Sequence, residues 1–308
     1  MTIPAGLPQR VAIRDVGPRD GLQPEEPVPV ADRIRLVEAL AAAGVPTIEV
    51  AAFVSPRAVP AMAGAAEVVA GVPPRDGLVR AALVPNAKGA SLAVAAGVEE
   101  LTVTISASET YNQRNVHMST GESEAAIVAI VAIASEAGTP VDAVVSCAFG
   151  SPYEGEIAPV DIADLSARML GTGVDRVTLA DTTGMATPRR VHEVVEAVRG
   201  AGIPLDTTGL HLHDTRGTAL VNAYAALQHG VARFDTSVGG LGGSPFAHGA
   251  GGNLATESLV AMLDDLGIET GIAIDPLVEA AGFIESLVGR PVPSGVAHHG
   301  PRSRARTP

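Results

Sequence analysis

The chain has 308 residues, of which 46% are hydrophobic, and this is enough to bury a large core in one domain. Its formal net charge of -13 argues against nucleic acid and anionic membranes as partners, because both bind positively charged protein surfaces. Cys147 is the only cysteine, so an intrachain disulfide is excluded, and the N-terminal residues lack the apolar core of a signal peptide. We therefore expect a cytoplasmic protein with no membrane partner.

Predicted strands and helices alternate along the chain from the first strand, RVAIRDV, onward. The further strands are PTIEV, LVRAALV, EELTVTI, PVDAVVSCAF, DRVTLAD, TTGLHLH and ARFDTSV, with helical patterns at 31–43, 122–137 and 186–199 among them. Four strands follow the same joint, in which a helical stretch ends in glycine and valine before a β-branched run begins. Glycine just past a helix adopts the left-handed conformation that caps the last turn. The runs lack clear alternation, which is typical of strands buried on both faces.

About eight strand–helix alternations in this length predict an α/β fold of the (β/α)8 TIM-barrel type. An open doubly wound sheet is disfavoured, because no G-x-G-x-x-G motif follows the first strand. We expect a single barrel domain over residues 1–293 that includes a short C-terminal helical extension. Residues 294–308 are predicted to form a disordered basic tail.

The carboxyl ends of the strands carry the chemistry in such a barrel. Each of the first seven predicted strands leads to polar residues at this rim, and the eighth leads to a glycine-rich run. The polar residues are Arg19, Asp20, Glu49, Asn86, Lys88, Ser106, Glu109, Tyr153, Glu154, Asp181, His211 and His213. We therefore expect the active site at this rim.

The motif HLHD is the most informative of these, because His211 and His213 are two apart on a strand and point to the same face. Two buried imidazoles are costly unless they are paired, and a shared metal ion is a common way to pair them. Two hydrogen-bonded core histidines are the alternative, which Asp20 at the same rim disfavours. A divalent ion such as Mg²⁺, Mn²⁺ or Zn²⁺ suits this ligand set, and the spacing does not choose among them.

Lys88 is the only lysine of the chain, and it follows VPN at a predicted helix start. A Schiff-base aldolase needs a lysine inside the barrel, so that mechanism is disfavoured. Carbon–carbon bond chemistry here would have to stabilise its enolate with a metal ion and with Arg19.

The glycine-rich run GGLGGSPFAHGAGGNLATE, residues 239–257, permits three interpretations: a phosphate cradle, a linker or a mobile lid. A phosphate cradle is disfavoured because the run lacks G-x-x-x-x-G-K-[ST]. Glycines allow close backbone approach to a ligand and permit a loop to open and close. We interpret the run as a lid.

Six segments together resemble the hydroxymethylglutaryl-CoA lyase family in order and spacing, over roughly residues 9–287. These segments are VGPRDGLQ, IEVAAFVSP, SASETYNQRN, SPYEG, HLHDTRGTALVN and the glycine-rich run. The resemblance implies a homodimeric lyase of leucine degradation that cleaves 3-hydroxy-3-methylglutaryl-CoA, or a related 3-hydroxy-3-alkylglutaryl-CoA, to acetyl-CoA and acetoacetate or another 3-oxo acid. The cofactor it implies is a divalent metal, Mg²⁺ or Mn²⁺ before Zn²⁺ or Co²⁺.

The resemblance also implies roles for individual residues. Arg19 would lie beside the thioester carbonyl, and Glu49 and Asp181 would be acidic groups of the site, with Asp181 helping to remove the hydroxyl proton. Ion pairing at the barrel rim is the alternative for both acids. Metal ligands would be Asp20, His211, His213 and Asn253. Gln23, Tyr153 and Glu257 would support or contact the substrate, with an ordinary loop contact as the alternative for each. Apart from the resemblance, we expect Lys88 or nearby arginines to meet the CoA phosphates.

Ser244 departs from the family pattern, which has a cysteine that donates or accepts a proton at this loop position. A serine hydroxyl is a much poorer acid near neutral pH than a thiol. His248, four residues further on, is a second departure and a candidate substitute for proton transfer, with a solvated loop histidine as the alternative. Three functions therefore remain open: the lyase, a superfamily aldolase or condensing enzyme acting on another hydroxy or oxo acid, and a weakly active metal- and acyl-CoA-binding protein.

Overall fold

The computed structural model of the protein describes residues 6–243 and 251–302. Its centre is a closed barrel of eight parallel strands in sequential order, with β1 paired to both β2 and β8. The (β/α)8 barrel prediction is therefore confirmed. The strands are β1 (Ala12–Asp15), β2 (Thr47–Ala52), β3 (Val79–Leu83), β4 (Glu100–Ser106), β5 (Val141–Ser146), β6 (Arg176–Ala180), β7 (Thr208–His211) and β8 (Arg233–Thr236).

Helices follow the strands and form the outer layer of the barrel. β4 is followed by two consecutive helices, and two further helices come after the one that follows β8. The helices are α1 (Val30–Ala42), α2 (Ala65–Gly71), α3 (Ala87–Ala96), α4 (Glu109–Val116), α5 (Thr120–Ala137), α6 (Pro159–Gly171), α7 (Pro188–Gly200), α8 (Ala219–Gln228), α9 (Thr256–Leu266), α10 (Ile274–Val288) and α11 (Gly295–His299).

The glycines of the four predicted helix-to-strand joints all adopt positive φ angles. These are Gly44 at 91°, Gly97 at 84°, Gly173 at 97° and Gly230 at 88°. L-residues with a side chain rarely adopt this conformation, so glycine ends each helix and turns the chain back into the barrel. The repeat in the sequence is thus a repeat of one joint geometry.

Apolar and polar residues alternate along some strands, which was not expected from the sequence. In β4, ELTVTIS, a polar residue follows each apolar one, and in β6, RVTLA, Thr178 follows Val177, and yet almost every residue of both strands is buried. The apolar side chains pack outward against the helices, whereas polar ones such as Thr102 and Thr104 line a cavity inside the barrel. The prediction that the strands are buried on both faces is therefore confirmed, and polar residues occur along them because the barrel interior is itself polar.

Helix α10 packs against α1 and completes the outer ring, and Arg35 of α1 lies over the ring of Phe283 at 4.7 Å. The segment after residue 293 was predicted to be disordered, but residues 294–302 are described and include α11. Ser294 caps this helix by accepting a hydrogen bond from the amide of Ala297, at 3.3 Å. Among the described residues no single helix is long and apolar enough to cross a membrane, although the bent pair α4–α5 passes by length and composition.

Candidate active site

A cavity opens at the carboxyl ends of the strands, where the sequence predicts the site. Its floor lies among polar side chains of the barrel interior, and its wall includes Gly243 at the start of the glycine-rich run. The predicted site residues that line it are Arg19, Asp20, Gln23, His211 and His213.

Arg19 and Asp20 are held by a tight π-helical turn, Gly17–Gly21, directly after β1. The Nε atom of Arg19 donates to Glu49 of β2 at 2.5 Å, and its Nη1 atom donates to Asp20 at 2.6 Å. Burial opposes the charge of Arg19, but the carboxylates of Glu49 and Asp20 outweigh it and raise the pKa of the guanidinium. Arg19 is therefore a fixed positive charge at the cavity wall.

His211 and His213 face each other inside the cavity, with their Nε2 atoms 3.2 Å apart. The Nδ1 atom of His211 lies 3.3 Å from Asp235 at the end of β8. Burial and the neighbouring His211 lower the pKa of His213 to about 4. Burial also opposes protonation of His211, but the hydrogen bond and charge of Asp235 reverse this and raise its pKa. His213 is therefore neutral at pH 7, as a metal ligand must be.

Asn253 reaches the same point from the far end of the glycine-rich run. Its Nδ2 atom donates to Asp20 at 2.8 Å and to the carbonyl of Leu241 at 2.9 Å. These two bonds orient the amide and leave Oδ1 buried without a hydrogen-bond partner among residues 6–243 and 251–302. Gly242 has a φ of 110°, and a Cβ atom there would lie 2.4 Å from Nδ2 of Asn253, so this position requires glycine.

These groups fit a divalent metal ion. The ligand atoms of Asp20, His211 and His213 all lie within 4.8 Å of one another. Two nitrogens bound at right angles to one metal at about 2.1 Å are about 3.0 Å apart, close to the observed Nε2–Nε2 separation. Oδ1 of Asn253, which has no hydrogen-bond partner within the described ranges, is a further oxygen donor, and an unsatisfied buried oxygen is costly unless something binds it.

The two predicted acids occupy different surroundings. Glu49 is fully buried, with one oxygen on Arg19 and the other, Oε1, unpaired among the described residues. Asp181 directly follows β6, and its Oδ1 atom accepts a hydrogen bond from the amide of Ala186 at 2.8 Å. Its Oδ2 atom has no hydrogen-bond partner in the described part of the chain, and burial raises its pKa to about 7. Ala180 and Thr182, on either side of Asp181, line the cavity.

The other predicted site residues lie away from the cavity lining or outside the described residues. Lys88 is exposed in the first turn of α3, and Tyr153 lies against Arg114, whose guanidinium is 4.5 Å from the ring centre. Glu257 is fully buried, with both oxygens 3.2 Å from the amide of Gly239. It therefore supports the base of the glycine-rich run instead of facing the cavity. Ser244 and His248 lie outside the described residues.

The described ends of the glycine-rich run are fixed to the barrel. The amide of Gly251 donates to Thr215 at 2.9 Å, and the carbonyl of Gly252 accepts from the amide of Asp214 at 2.8 Å. A Cβ atom at Gly252 would lie 1.9 Å from the carbonyl of Gly240, so the two arms of the run pack directly on each other. The run as a lid stays a prediction, because 244–250 are not described.

A charged layer, which was not predicted from the sequence, lies beneath the site. Arg14 of β1 bonds Asp235 through Nε and Nη2, at 2.8 and 2.7 Å, and lies 3.0 Å from Asp142 and 3.1 Å from Glu100. Asp235 in turn contacts His211. The only signal in the sequence is the inward position of these residues in their strands, and it does not reveal which of them meet.

The comparisons with known proteins agree with this geometry. The family model described as HMGL-like matches residues 10–284. A protein of Pseudomonas aeruginosa named 3-hydroxy-3-isohexenylglutaryl-CoA/hydroxy-methylglutaryl-CoA lyase is 44% identical over 285 residues, which cover 92% of this chain and 95% of that protein. The mitochondrial hydroxymethylglutaryl-CoA lyase of Homo sapiens is 44% identical over 294 residues, which cover 94% of this chain and 90% of that protein.

A solved structure gives the same result at the level of the fold. The structure of an HMG-CoA lyase from Acinetobacter baumannii, in complex with coenzyme A and 3-methylmalate, has a TM-score of 0.93 and is 38% identical, with 100% of each chain covered. These matches confirm the resemblance found in the sequence. Because the family match spans every strand of the barrel together with the histidine pair and Asn253, the chain belongs to the HMGL-like family.

Proposed function

We propose that the protein is a divalent-metal-dependent carbon–carbon lyase that cleaves 3-hydroxy-3-methylglutaryl-CoA to acetyl-CoA and acetoacetate. The observation that carries the proposal is the convergence of Asp20, His211 and His213 on one point. Beside it lie the fixed charge of Arg19 and Oδ1 of Asn253, an oxygen with no partner in the part of the chain that the structure describes. The names of the relatives from Pseudomonas aeruginosa and Homo sapiens support the same reaction.

Asp20, His211, His213 and Asn253 would hold the metal ion. When bound, a divalent cation would supply Lewis acidity toward the hydroxyl and carbonyl oxygens of the substrate. The ligand types favour Mg²⁺ or Mn²⁺, with Zn²⁺ or Co²⁺ as alternatives.

The chain's own residues would then move the protons and hold the charge. Asp181, whose pKa is raised to about 7 by burial, would take the proton of the C3 hydroxyl. The C2–C3 bond breaks, the C3 fragment leaves as acetoacetate, and the bonding pair passes into the enolate of acetyl-CoA. Arg19 would stabilise the thioester oxygen, which becomes negative only as this bond breaks, so its charge lowers the barrier to the reaction.

The enolate needs one proton at C2 to become acetyl-CoA. Ser244 occupies the position where the family has a cysteine, and a serine hydroxyl is a poor acid at neutral pH. His248 on the same loop, or water, would then deliver the proton. This departure favours a second candidate, a weakly active metal- and acyl-CoA-binding protein. A superfamily aldolase or condensing enzyme is the third.

An acyl-CoA is the substrate class that the relatives support. The Acinetobacter baumannii structure contains coenzyme A, and the Pseudomonas aeruginosa name includes a longer 3-alkyl group, so a related 3-hydroxy-3-alkylglutaryl-CoA is the alternative substrate. Gln23 would contact the substrate at the cavity wall. Lys88 and Tyr153 would contact the CoA portion, with Glu257 supporting the loop. We also propose a homodimer in the cytoplasm.

The test is an assay of the purified protein with Mg²⁺ or Mn²⁺ and a panel of 3-hydroxy-3-alkylglutaryl-CoA esters, followed by product analysis. We expect acetyl-CoA and the matching 3-oxo acid in equal amounts, and no product after chelation of the metal. Turnover of other hydroxy acids with none of these esters would favour the aldolase, and binding of acyl-CoA without any turnover would favour the binding protein.

A further inference from the structure

A second group of metal-ligating side chains lies on helices α7 and α8 of the outer layer, and none of its members lines the cavity. His192 and Glu196 are four residues apart on α7, so they lie on the same face of that helix. His229 directly follows α8 and reaches both of them. Its Nε2 atom lies 3.1 Å from Nδ1 of His192, and its Nδ1 atom lies 2.9 Å from Glu196.

This group repeats the arrangement of the candidate active site. There, a carboxylate contacts Nδ1 of His211, whose Nε2 atom faces a second imidazole nitrogen at 3.2 Å. On the surface, Glu196 contacts Nδ1 of His229, whose Nε2 atom faces His192 at nearly the same separation. A carboxylate on one ring nitrogen fixes the proton there and leaves the other nitrogen with a free lone pair.

The surface group differs from the active site in its ligand chemistry. Within the described residues it offers two imidazoles directly, while Glu196 is occupied with His229 and with Arg199, whose Nη1 atom lies 2.6 Å away. Imidazole ligands favour Zn²⁺, Cu²⁺ or Ni²⁺ over Mg²⁺ and Mn²⁺, which prefer oxygen donors. The nearby Arg199 cation limits the affinity for any metal ion, because like charges repel.

We propose that His192 and His229 form a second metal site that binds a transition-metal ion such as Zn²⁺. Nδ1 of His192 and Nε2 of His229 are the ligands, water completes the coordination, and Glu196 orients the His229 ring. The site joins α7 to α8, the helices that follow β6 and β7, and the carboxyl ends of these two strands lead to Asp181 and the histidine pair. Its occupancy is independent of the proposed lyase reaction.

The test is a count of bound Zn²⁺ by equilibrium dialysis and elemental analysis of the full-length protein. We expect His229→Gln and His192→Asn each to bind one Zn²⁺ fewer per chain than the unmodified protein. The double variant His211→Ala/His213→Ala should still bind Zn²⁺, and adding His229→Gln to it should abolish that binding. If the double variant fails to fold, the comparison between His229→Gln and the unmodified protein still decides the question.

A matched pair of variants tests the role of Glu196. Glu196→Ala should weaken Zn²⁺ binding at this site about tenfold or more, because loss of the carboxylate that orients a ligand commonly has this effect. Glu193 lies on the same helix and carries the same charge, but it pairs with Arg189 and Arg190. Glu193→Ala should therefore leave Zn²⁺ affinity unchanged. Equal Zn²⁺ content in the unmodified protein and His229→Gln would overturn the proposal, as would equal losses of affinity in Glu196→Ala and Glu193→Ala.

Discussion

Asp235→Asn should separate two roles of one buried carboxylate, support of Arg14 and orientation of His211. The side chain accepts two hydrogen bonds from Arg14, at 2.8 and 2.7 Å, and lies 3.3 Å from Nδ1 of His211. The charges of Arg14 and His211 overcome the cost of burial and hold the pKa of Asp235 well below its ordinary range, so the carboxylate is charged in the folded protein. Asparagine keeps the volume and removes the charge.

The expected loss of stability can be worked from these contacts. Breaking a buried ion pair by removing one partner costs about 3–5 kcal/mol. Arg14 retains Glu100 at 3.1 Å and Asp142 at 3.0 Å, so we expect the lower limit, about 3 kcal/mol. At about 2 °C per kcal/mol for a chain of this size, the midpoint of thermal unfolding should fall by about 6 °C.

The metal affinity should fall as well, because His211 loses the carboxylate that orients it. Loss of a carboxylate that is hydrogen-bonded to a metal-binding histidine lowers metal affinity about 10–100-fold. Asp142→Asn is the matched control, since Asp142 also contacts Arg14 and is buried, but it bonds Thr178 and does not contact His211. We expect Asp142→Asn to lower stability while leaving the metal affinity unchanged.

The assay combines urea and thermal denaturation with Mn²⁺ titration of each folded variant. Equal losses of Mn²⁺ affinity in Asp235→Asn and Asp142→Asn would show that general disturbance of the charged layer, and not orientation of His211, is responsible. Undiminished affinity in Asp235→Asn would refute the reasoning entirely.

Four further outcomes are expected. His211→Ala should remove most bound Mn²⁺ with the circular dichroism spectrum intact, and unchanged Mn²⁺ content would exclude it as a ligand. Arg19→Met should lower kcat by about two orders of magnitude or more while acyl-CoA affinity stays within about tenfold, and a rise in KM alone would make Arg19 a binding residue. If Asp181 is the base, kcat/KM should rise with pH through about 7, because the carboxylate form takes the proton. Any stability that Asp181 contributes is complete below its ordinary pKa of 3.8 and is lost as pH rises through about 7. An unchanged pH profile in the residual activity of Asp181→Asn would contradict its role as the base. Ser244→Cys should raise cleavage at least about tenfold, whereas His248→Gln should lower it only in the serine background, and equal fast rates with serine and cysteine would exclude position 244 as the proton relay.

The sequence alone was sufficient for features that depend on neighbouring residues. The glycines at 44, 97, 173 and 230 mark the ends of helices because only glycine adopts a positive φ without strain, and all four do so in the structure. The period of two along a strand likewise places His211 and His213 on one face, and their imidazoles do meet. These are local rules, so they can be read from the order of residues.

Contacts between elements depended on the tertiary structure. Asp235 and Arg14 lie 221 residues apart along the chain, and Asp235 comes beneath His211 only because β8 pairs with both β7 and β1 when the barrel closes. The surface pair His192 and His229 likewise depends on how α7 packs against α8. Sequence spacing specifies which side chains share a face of one strand or helix, but the register and packing between elements decide which faces meet.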